Sequence, residues 1–530
     1  MNVQTEQTAF RPEGLLRADA YPHPVGALEL VETHISWVVL TGQLAYKIKK
    51  PVRFDFIDAS SLDRRRRLCE EELRLNGRLA PDLYLAVLPI GGTPDAPRIG
   101  TDEHVLEYAV QMRQFDRSGE LPTLLAAGEV RREEISRLAV RLAGFHARAP
   151  AAGPETDYGT CEQLRATMLA NLAALAAQCV EPRLAHALNR LSDWTRDALS
   201  GNRIAIELRR ATGAVRECHG DLHARNIVRW KGELVPFDCL EFDPALRWID
   251  VASEMAFLHM DLLAHARTDL ASILLSDYLE AAGDYESLRL MRFYEVYRAL
   301  VRAKVDGLDA ARAASSQAAE RAVTRRASRI DLAQRLAAPP DPPLILMHGV
   351  SGSGKSWLSG ELVPALGVLR VRSDLERKRI VGLAAGARAD AAPGEGLYAA
   401  RNTDRTYARL LECAEHALIG GHGIVIDAAF LEAEKRELFR GLARRLGRRF
   451  LLVSCHARPD VLRTRVQARR GAARDPSDAT LAVLEHQLAS RRPLEDCESS
   501  CAVAIDTTAG DSAAAAIELI RTQLPTGCAV

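Results

Sequence analysis

The octapeptide Gly349-Val350-Ser351-Gly352-Ser353-Gly354-Lys355-Ser356 directly follows the apolar run Leu344-Ile345-Leu346-Met347. It fits Gly-x-x-x-x-Gly-Lys-Ser in full, and that pattern admits one local shape: a buried strand, a tight loop and a helix. The glycines let the loop wrap so that backbone N–H groups point inward at phosphate oxygens. Trp357-Leu358-Ser359-Gly360-Glu361-Leu362 continues as a helix whose N-terminus adds its positive dipole end. Lys355 is placed to reach the β- and γ-phosphates, and Ser356 to hold Mg²⁺. Gly349, Gly352, Ser353, Gly354, Lys355 and Ser356 are therefore the expected nucleotide-binding set, with Mg·ATP as ligand. Residues 344–530 are expected to form an α/β P-loop domain with a parallel sheet.

Acidic and basic residues follow at the expected strand ends. Val368–Val371 reads as a second strand and leads into Arg372-Ser373-Asp374. Asp374 is the candidate base for an acceptor hydroxyl, with Arg372 and Arg377 near the substrate. Ser373 or Asp374 also suits a helix N-cap before Leu375-Glu376-Arg377. Ile424-Val425-Ile426-Asp427 is an apolar strand ending in a carboxylate, so Asp427 is expected to support Mg²⁺ through water. Beyond the strand Phe450–Ser454, Arg465 and Arg469 share a helical face at i,i+4. They fit either a lid that neutralises the transferring phosphate or a solvated basic helix. Asp475-Pro476-Ser477-Asp478-Ala479 reads as a lid turn.

A second, unrelated constellation lies upstream: His219-Gly220-Asp221-Leu222-His223-Ala224-Arg225-Asn226, then Phe237-Asp238. Phosphoryl transfer to a hydroxyl needs a carboxylate that orients the hydroxyl and takes its proton, and Asp221 fits. Asn226, five residues on, can supply an oxygen to Mg²⁺ from the same loop. Asp238 follows the strands Ile227–Trp230 and Leu234–Phe237 and can bridge Mg²⁺ to the phosphates. The spacing Asp-x-x-x-x-Asn, then strand, turn, strand and Asp, is that of protein kinases. β-like runs at 34–40, 44–48 and 84–90, a helical pattern at 62–79 and a largely helical stretch over 115–335 suit an α+β, two-lobed protein-kinase-like fold.

His-Gly-Asp-x-His-x-x-Asn resembles the aminoglycoside phosphotransferase and choline kinase branch of the kinase-like superfamily, over roughly residues 25–300. The resemblance implies an ATP-dependent small-molecule kinase with Asp221 as base and Asn226 and Asp238 as metal ligands. It places Lys47, in Tyr46-Lys47-Ile48-Lys49-Lys50, at the ATP-phosphate lysine, with Lys49 and Lys50 as alternatives. Its partner comes from Glu70-Glu71-Glu72. Glu72 is preferred over Glu71 because Leu75 and Leu79 lie on its face. Glu107–Met112 is expected as the hinge between lobes, Thr33–Ser36 as the cover over the phosphates, and Asp250 as an anchor for the catalytic loop. Arg64–Arg67 is expected as a solvated face. Residues 344–525 resemble P-loop kinases of the zeta-toxin-like and polynucleotide-kinase-like group. The module order resembles bacterial proteins that fuse the two domains.

At 530 residues the chain exceeds one core. Four prolines in Ala337–Pro343 mark an extended spacer. The expected division is 1–335 (small lobe about 1–110, large lobe about 111–335), linker 336–343, and 344–530. Zero formal net charge argues against a general nucleic-acid or membrane-surface binder. No apolar run reaches the roughly 18 residues of a membrane helix. The ten cysteines are scattered, which suits free thiols in a reducing cytoplasm. Two kinase modules acting on hydroxyl groups of small molecules is the leading expectation. One catalytic module with a regulatory nucleotide-binding module, or a toxin-like kinase for a nucleotide sugar or nucleic-acid end, are the alternatives. The variable helices around 155–210 and 255–300 carry no readable acceptor code.

Overall fold

The computed structural model describes residues 10–54, 57–179, 181–313, 315–384, 399–471, 480–490, 493–508 and 513–524. The chain divides into two compact units. The first comprises Met1–Leu138, Phe145–Thr160 and Leu208–Leu258; the second comprises Ala139–Gly144, Cys161–Glu207 and His259–Val530. The division thus falls within the helix Val251–Ala264, ahead of the proline-rich segment.

In the first unit six strands form one antiparallel sheet. The order is Glu29–Glu32, Ser36–Leu40, Leu44–Lys49, Glu107–Arg113, Tyr84–Thr93 and Ala96–Ile99. Strand alternation sorts Leu44–Lys49 into two faces. Tyr46 and Ile48 join the core with Phe10, Leu15 and Ile90, while Ala45 faces a second core with Cys69, Leu83 and Val228. Lys47 and Lys49 share the parity of Ala45 and so lie toward the helix Leu62–Asn76. Ser61 caps that helix by accepting from the Arg64 amide at 3.3 Å. The signature loop leads into the hairpin Ile227–Trp230/Glu233–Pro236, in register from Ile227↔Pro236 to Trp230↔Glu233. This is the small β-rich lobe and catalytic-loop arrangement of a kinase-like fold.

Two expectations are corrected here. Glu107–Arg113 is a central strand, paired on both sides, because its alternating apolar residues fill the sheet interior. The chain leaves that strand at Arg113, so residues 114–120 make the connection expected at 107–112. Arg65 is 3% exposed and bonds Glu107 at 2.7 Å, so the Arg64–Arg67 run is not wholly a solvated face. The segment Thr33–Ser36 does form the turn between the first two strands.

In the second unit a five-stranded parallel sheet has the order Leu369–Arg372, Ile424–Asp427, Leu344–His348, Phe450–His456, Ala502–Asp506. Leu344–His348 is buried throughout, as the central strand of a sheet covered on both faces must be. Ile345, Met347, Leu358, Leu362, Val425 and Val453 share one core. The edge strand Leu369–Arg372 is covered by the helix Thr268–Ala282. Ser276 Oγ accepts from the Arg370 amide at 3.1 Å, and Glu280 binds both Arg370 and Arg372. The proline-rich segment is extended, and its Pro340 carbonyl accepts from Arg448 at 2.7 Å. No described helix is long and apolar enough to cross a membrane.

Candidate active site

The first unit links the expected kinase residues through ion pairs and hydrogen bonds. Lys47 Nζ lies 2.7 Å from Glu72 Oε1 and 2.5 Å from Asp238 Oδ1. Burial opposes its charge, but Asp238 and Glu72 outweigh burial and hold it protonated. Glu71, the other candidate partner, instead binds Arg74 and Arg247. Asn226 Nδ2 donates to both the backbone oxygen and Oδ2 of Asp221 at 3.0 Å. The Asn226 carbonyl accepts from the Phe237 amide at 2.9 Å, and His219 Nε2 meets the Phe237 carbonyl at 2.8 Å. These bonds tie the loop carrying Asp221 to the turn carrying Asp238. Burial keeps the His219 imidazole neutral by lowering its pKa.

Asp238 has φ of 63°, a left-handed backbone that a non-glycine residue adopts at a cost. Its neighbours hold it there: the Asp238 amide donates to Tyr84 Oη at 3.1 Å and the Cys239 amide to Asn76 Oδ1 at 2.9 Å. Gly220, with φ of 87°, is packed so that a Cβ would lie 3.0 Å from Arg247 Cβ. The donor set fits a hard divalent cation. Asp238 offers a carboxylate that is 42% exposed, and Asn226, with its Nδ2 committed to Asp221, offers an amide oxygen.

Two buried acids at this site, Glu241 and Glu254, escaped the sequence reading, and Lys49, named there only as an alternative to Lys47, has a place of its own. Lys49, fully buried, meets Glu72 Oε2 at 2.5 Å and also binds Glu241. Burial pushes Glu241 above the ordinary carboxylate range, and Lys49 opposes it. Glu254 accepts from the amides of His219 at 2.9 Å and Gly220 at 2.8 Å, and meets His146 Nε2 at 3.3 Å. Burial would raise Glu254, but the bonds and charges of His146, His219 and the Gly220 amide outweigh it and hold the carboxyl at about 2. Asp250, expected as the loop anchor, instead forms a bidentate pair with Arg209 at 2.7 Å and caps its own helix through the Ala252 amide. The anchor lies one helical turn on. The i,i+4 spacing from Asp250 was the available signal for Glu254.

In the second unit the glycine-rich loop is wrapped as its spacing requires. A Cβ on Gly349, whose φ is 138°, would meet the Cys455 carbonyl oxygen at 2.3 Å. Gly352 and Gly354 also have positive φ, and Gly354 is the N-cap of the helix Lys355–Leu366. Ser353 Oγ is buried with no hydrogen-bond partner. Lys355 Nζ donates to the Val350 carbonyl at 2.9 Å, within its own loop. Asp427 is buried at the end of its strand and accepts from Ser359 Oγ at 3.1 Å, one turn beyond the exposed Ser356. A hydroxyl and a carboxylate beside a helix N-terminus are a donor set that suits Mg²⁺ and phosphate together.

Asp374 lies in the first turn of the helix Ser373–Ile380 and accepts from Arg377 at 3.1 Å. The N-cap residue is Arg372, without a side-chain cap, so neither Ser373 nor Asp374 caps the helix: both already lie inside it. Arg372 is held by Glu280 at 2.6 Å. Arg465 donates to the Gly352 carbonyl at 3.3 Å and to Thr507. The Arg469 side chain and Asp475–Ala479 lie outside the described residues.

A family model described as "AAA domain" matches residues 344–494. Uncharacterized protein Rv2004c of Mycobacterium tuberculosis (strain ATCC 25618 / H37Rv) is 30% identical over 470 residues, covering 87% of this chain and 91% of its own. Uncharacterized protein Mb2027c of Mycobacterium bovis matches to the same extent. The chain belongs to the family of these mycobacterial proteins. Among solved structures, a choline kinase from Cryptosporidium parvum aligns at TM-score 0.38 and 10% identity, over 58% of this chain and 89% of its own. A gluconokinase from Sinorhizobium meliloti aligns at TM-score 0.25 and 20% identity, over 35% and 93%. With both scores below 0.5, the assignment of each part of this family member rests on its own strand order and site residues.

Proposed function

We propose that the chain is an ATP-dependent phosphotransferase with two Mg·ATP-binding modules, 1–335 and 344–530, each acting on a hydroxyl group of a small molecule. The observation that carries the reading is the ion-paired Lys47, within reach of both Glu72 and Asp238, in the same unit as the bonded pair Asp221–Asn226. Lys47 holds the ATP phosphates, and Glu72 fixes the lysine in position. Asp221 orients the acceptor hydroxyl and takes its proton, and Asn226 holds the Asp221 carboxylate in place. Asp238 and Asn226 in the first module, and Ser356 with Asp427 in the second, would hold Mg²⁺, which when bound neutralises charge on the phosphates. In the second module Lys355 and the loop amides cradle the phosphates, Asp374 serves as base, and Arg465 stabilises the transferred group, with Arg469 beside it on the same helix.

The test is ADP release by the purified full chain with Mg²⁺ and a pool of hydroxyl-bearing metabolites. Asp221→Asn and Lys355→Ala are each expected to abolish a separate activity. A variant that leaves all phosphotransfer intact and changes only its regulation assigns that module a sensing role. Growth inhibition on expression, relieved by Lys355→Ala, assigns the toxin-like role.

A further inference from the structure

Lys47 and Lys49 are two residues apart on one strand and so share a face. Glu72 takes one on each carboxylate oxygen: Lys47 on Oε1 at 2.7 Å and Lys49 on Oε2 at 2.5 Å. Each lysine then reaches a second acid on the turn that follows the hairpin. Lys47 meets Asp238 at 2.5 Å, and Lys49 meets Glu241. The result is a chain of contacts, Asp238–Lys47–Glu72–Lys49–Glu241, joining the strand, the helix Leu62–Asn76 and the turn. Glu72 and Lys49 are fully buried and Glu241 is 4% exposed at its side chain, whereas Asp238 is 42% exposed. With all five groups ionised, two cations face three carboxylates, a surplus of one negative charge. Asp238 is the member most open to solvent, against 15% for the Lys47 side chain, and the surplus is available there.

We propose that Lys49 and Glu241 are positioning residues. They form a second clamp that holds Glu72 and the Asp238 turn together and sets the charge left on Asp238 for a divalent cation. The inference rests on the reading that Asp238 is a cation ligand. A single lysine on Glu72 would suffice to orient Lys47. The second lysine brings a positive charge into the core, and Glu241 cancels it, so Asp238 keeps the charge it would have without either residue. Removing one member of the Lys49–Glu241 pair therefore changes cation affinity in a direction set by sign. Removing both leaves it nearly unchanged.

The experiment uses the full chain carrying Lys355→Ala, which silences nucleotide-linked cation binding at the P-loop. Mn²⁺ is titrated by electron paramagnetic resonance in the presence of ADP, a readout independent of turnover. Glu241→Gln leaves Lys49 uncancelled and is expected to weaken Mn²⁺ binding about three- to tenfold. Lys49→Met removes a positive charge and is expected to tighten it by a similar factor. The double variant is expected within about twofold of the parent, and it leaves no buried charge unpaired if a single variant fails to fold. A double variant as weak as Glu241→Gln, or single variants that alter melting temperature alone with the Mn²⁺ constant unmoved, overturns the proposal. Asp238→Asn tests the underlying reading separately: unchanged Mn²⁺ binding there rejects Asp238 as a ligand, whatever the other variants do.

Discussion

Replacing Glu254 with Gln is expected to loosen the catalytic loop by a calculable amount. The carboxylate is 1% exposed and accepts from two successive loop amides at 2.9 and 2.8 Å, with His146 at 3.3 Å. Its value of about 2, against an ordinary 4.5, means that the folded state favours the ionised form. At about 1.4 kcal/mol per pH unit, the gap corresponds to roughly 3 kcal/mol of stability. The folded value is depressed, so this contribution is fully present above about pH 4.5 and is lost as pH falls toward 2. A glutamine keeps one acceptor oxygen but no charge, so at neutral pH most of that amount is forfeited. For a unit of this size the melting transition should drop by about 6–12 °C. Urea unfolding at neutral pH, followed by far-UV circular dichroism, checks the free energy. A phosphotransfer assay checks that the loop has moved. A variant within 1 °C of the parent, with unchanged kcat, would falsify the claim that Glu254 anchors the loop.

Other perturbations have equally definite outcomes. Gly349→Ala should abolish nucleotide binding at the second module, measured by ATP titration of an Asp221→Asn chain, because the added Cβ has no space beside the Cys455 carbonyl. Leu362→Ala, at a fully buried position, should cost about 3 kcal/mol in the second unit, read as a lowered urea midpoint. Lys47→Met should leave Glu72 with Lys49 alone and reduce kcat/KM for ATP at least about a hundredfold, with the P-loop activity retained as internal control. Glu280→Gln should free Arg372 and weaken the cover over the edge strand, detected as faster amide exchange across Leu369–Arg372.

Much of the fold was legible because its signals are local. An apolar run before a glycine loop can scarcely be anything but a central strand and phosphate loop. Helical phase likewise separated Glu72 from Glu71, since Leu75 marks the buried face. What stayed hidden depends on groups far apart in sequence. Lys47 and Lys49 have the same parity, so strand periodicity cannot say which one meets Asp238, 191 residues away. Arg65 looked solvated within a basic run because its acid, Glu107, lies 42 residues on. The hinge was misplaced by one strand because Glu107–Arg113 carries polar residues that the sheet pairs on both edges. Asp250 was expected as the loop anchor, whereas Glu254, which holds the loop, sits inside a helix that is apolar nearly all round.

The two sites place a lysine at phosphate by different means, and this predicts where each tolerates change. In the first unit the lysine is held by side-chain charges, with Glu72 and Asp238 as direct partners and Lys49 and Glu241 behind them. Here a neutral substitution leaves the backbone in place but strands a buried charge, at about 3–5 kcal/mol. In the second unit Lys355 rests on the backbone carbonyl of its own loop, and tightly packed glycines set the loop's shape. There a methyl group does the damage that a lost charge does in the first. An added methyl at Gly349 should therefore disable the second site and spare the first, and loss of the Lys47 charge should do the reverse.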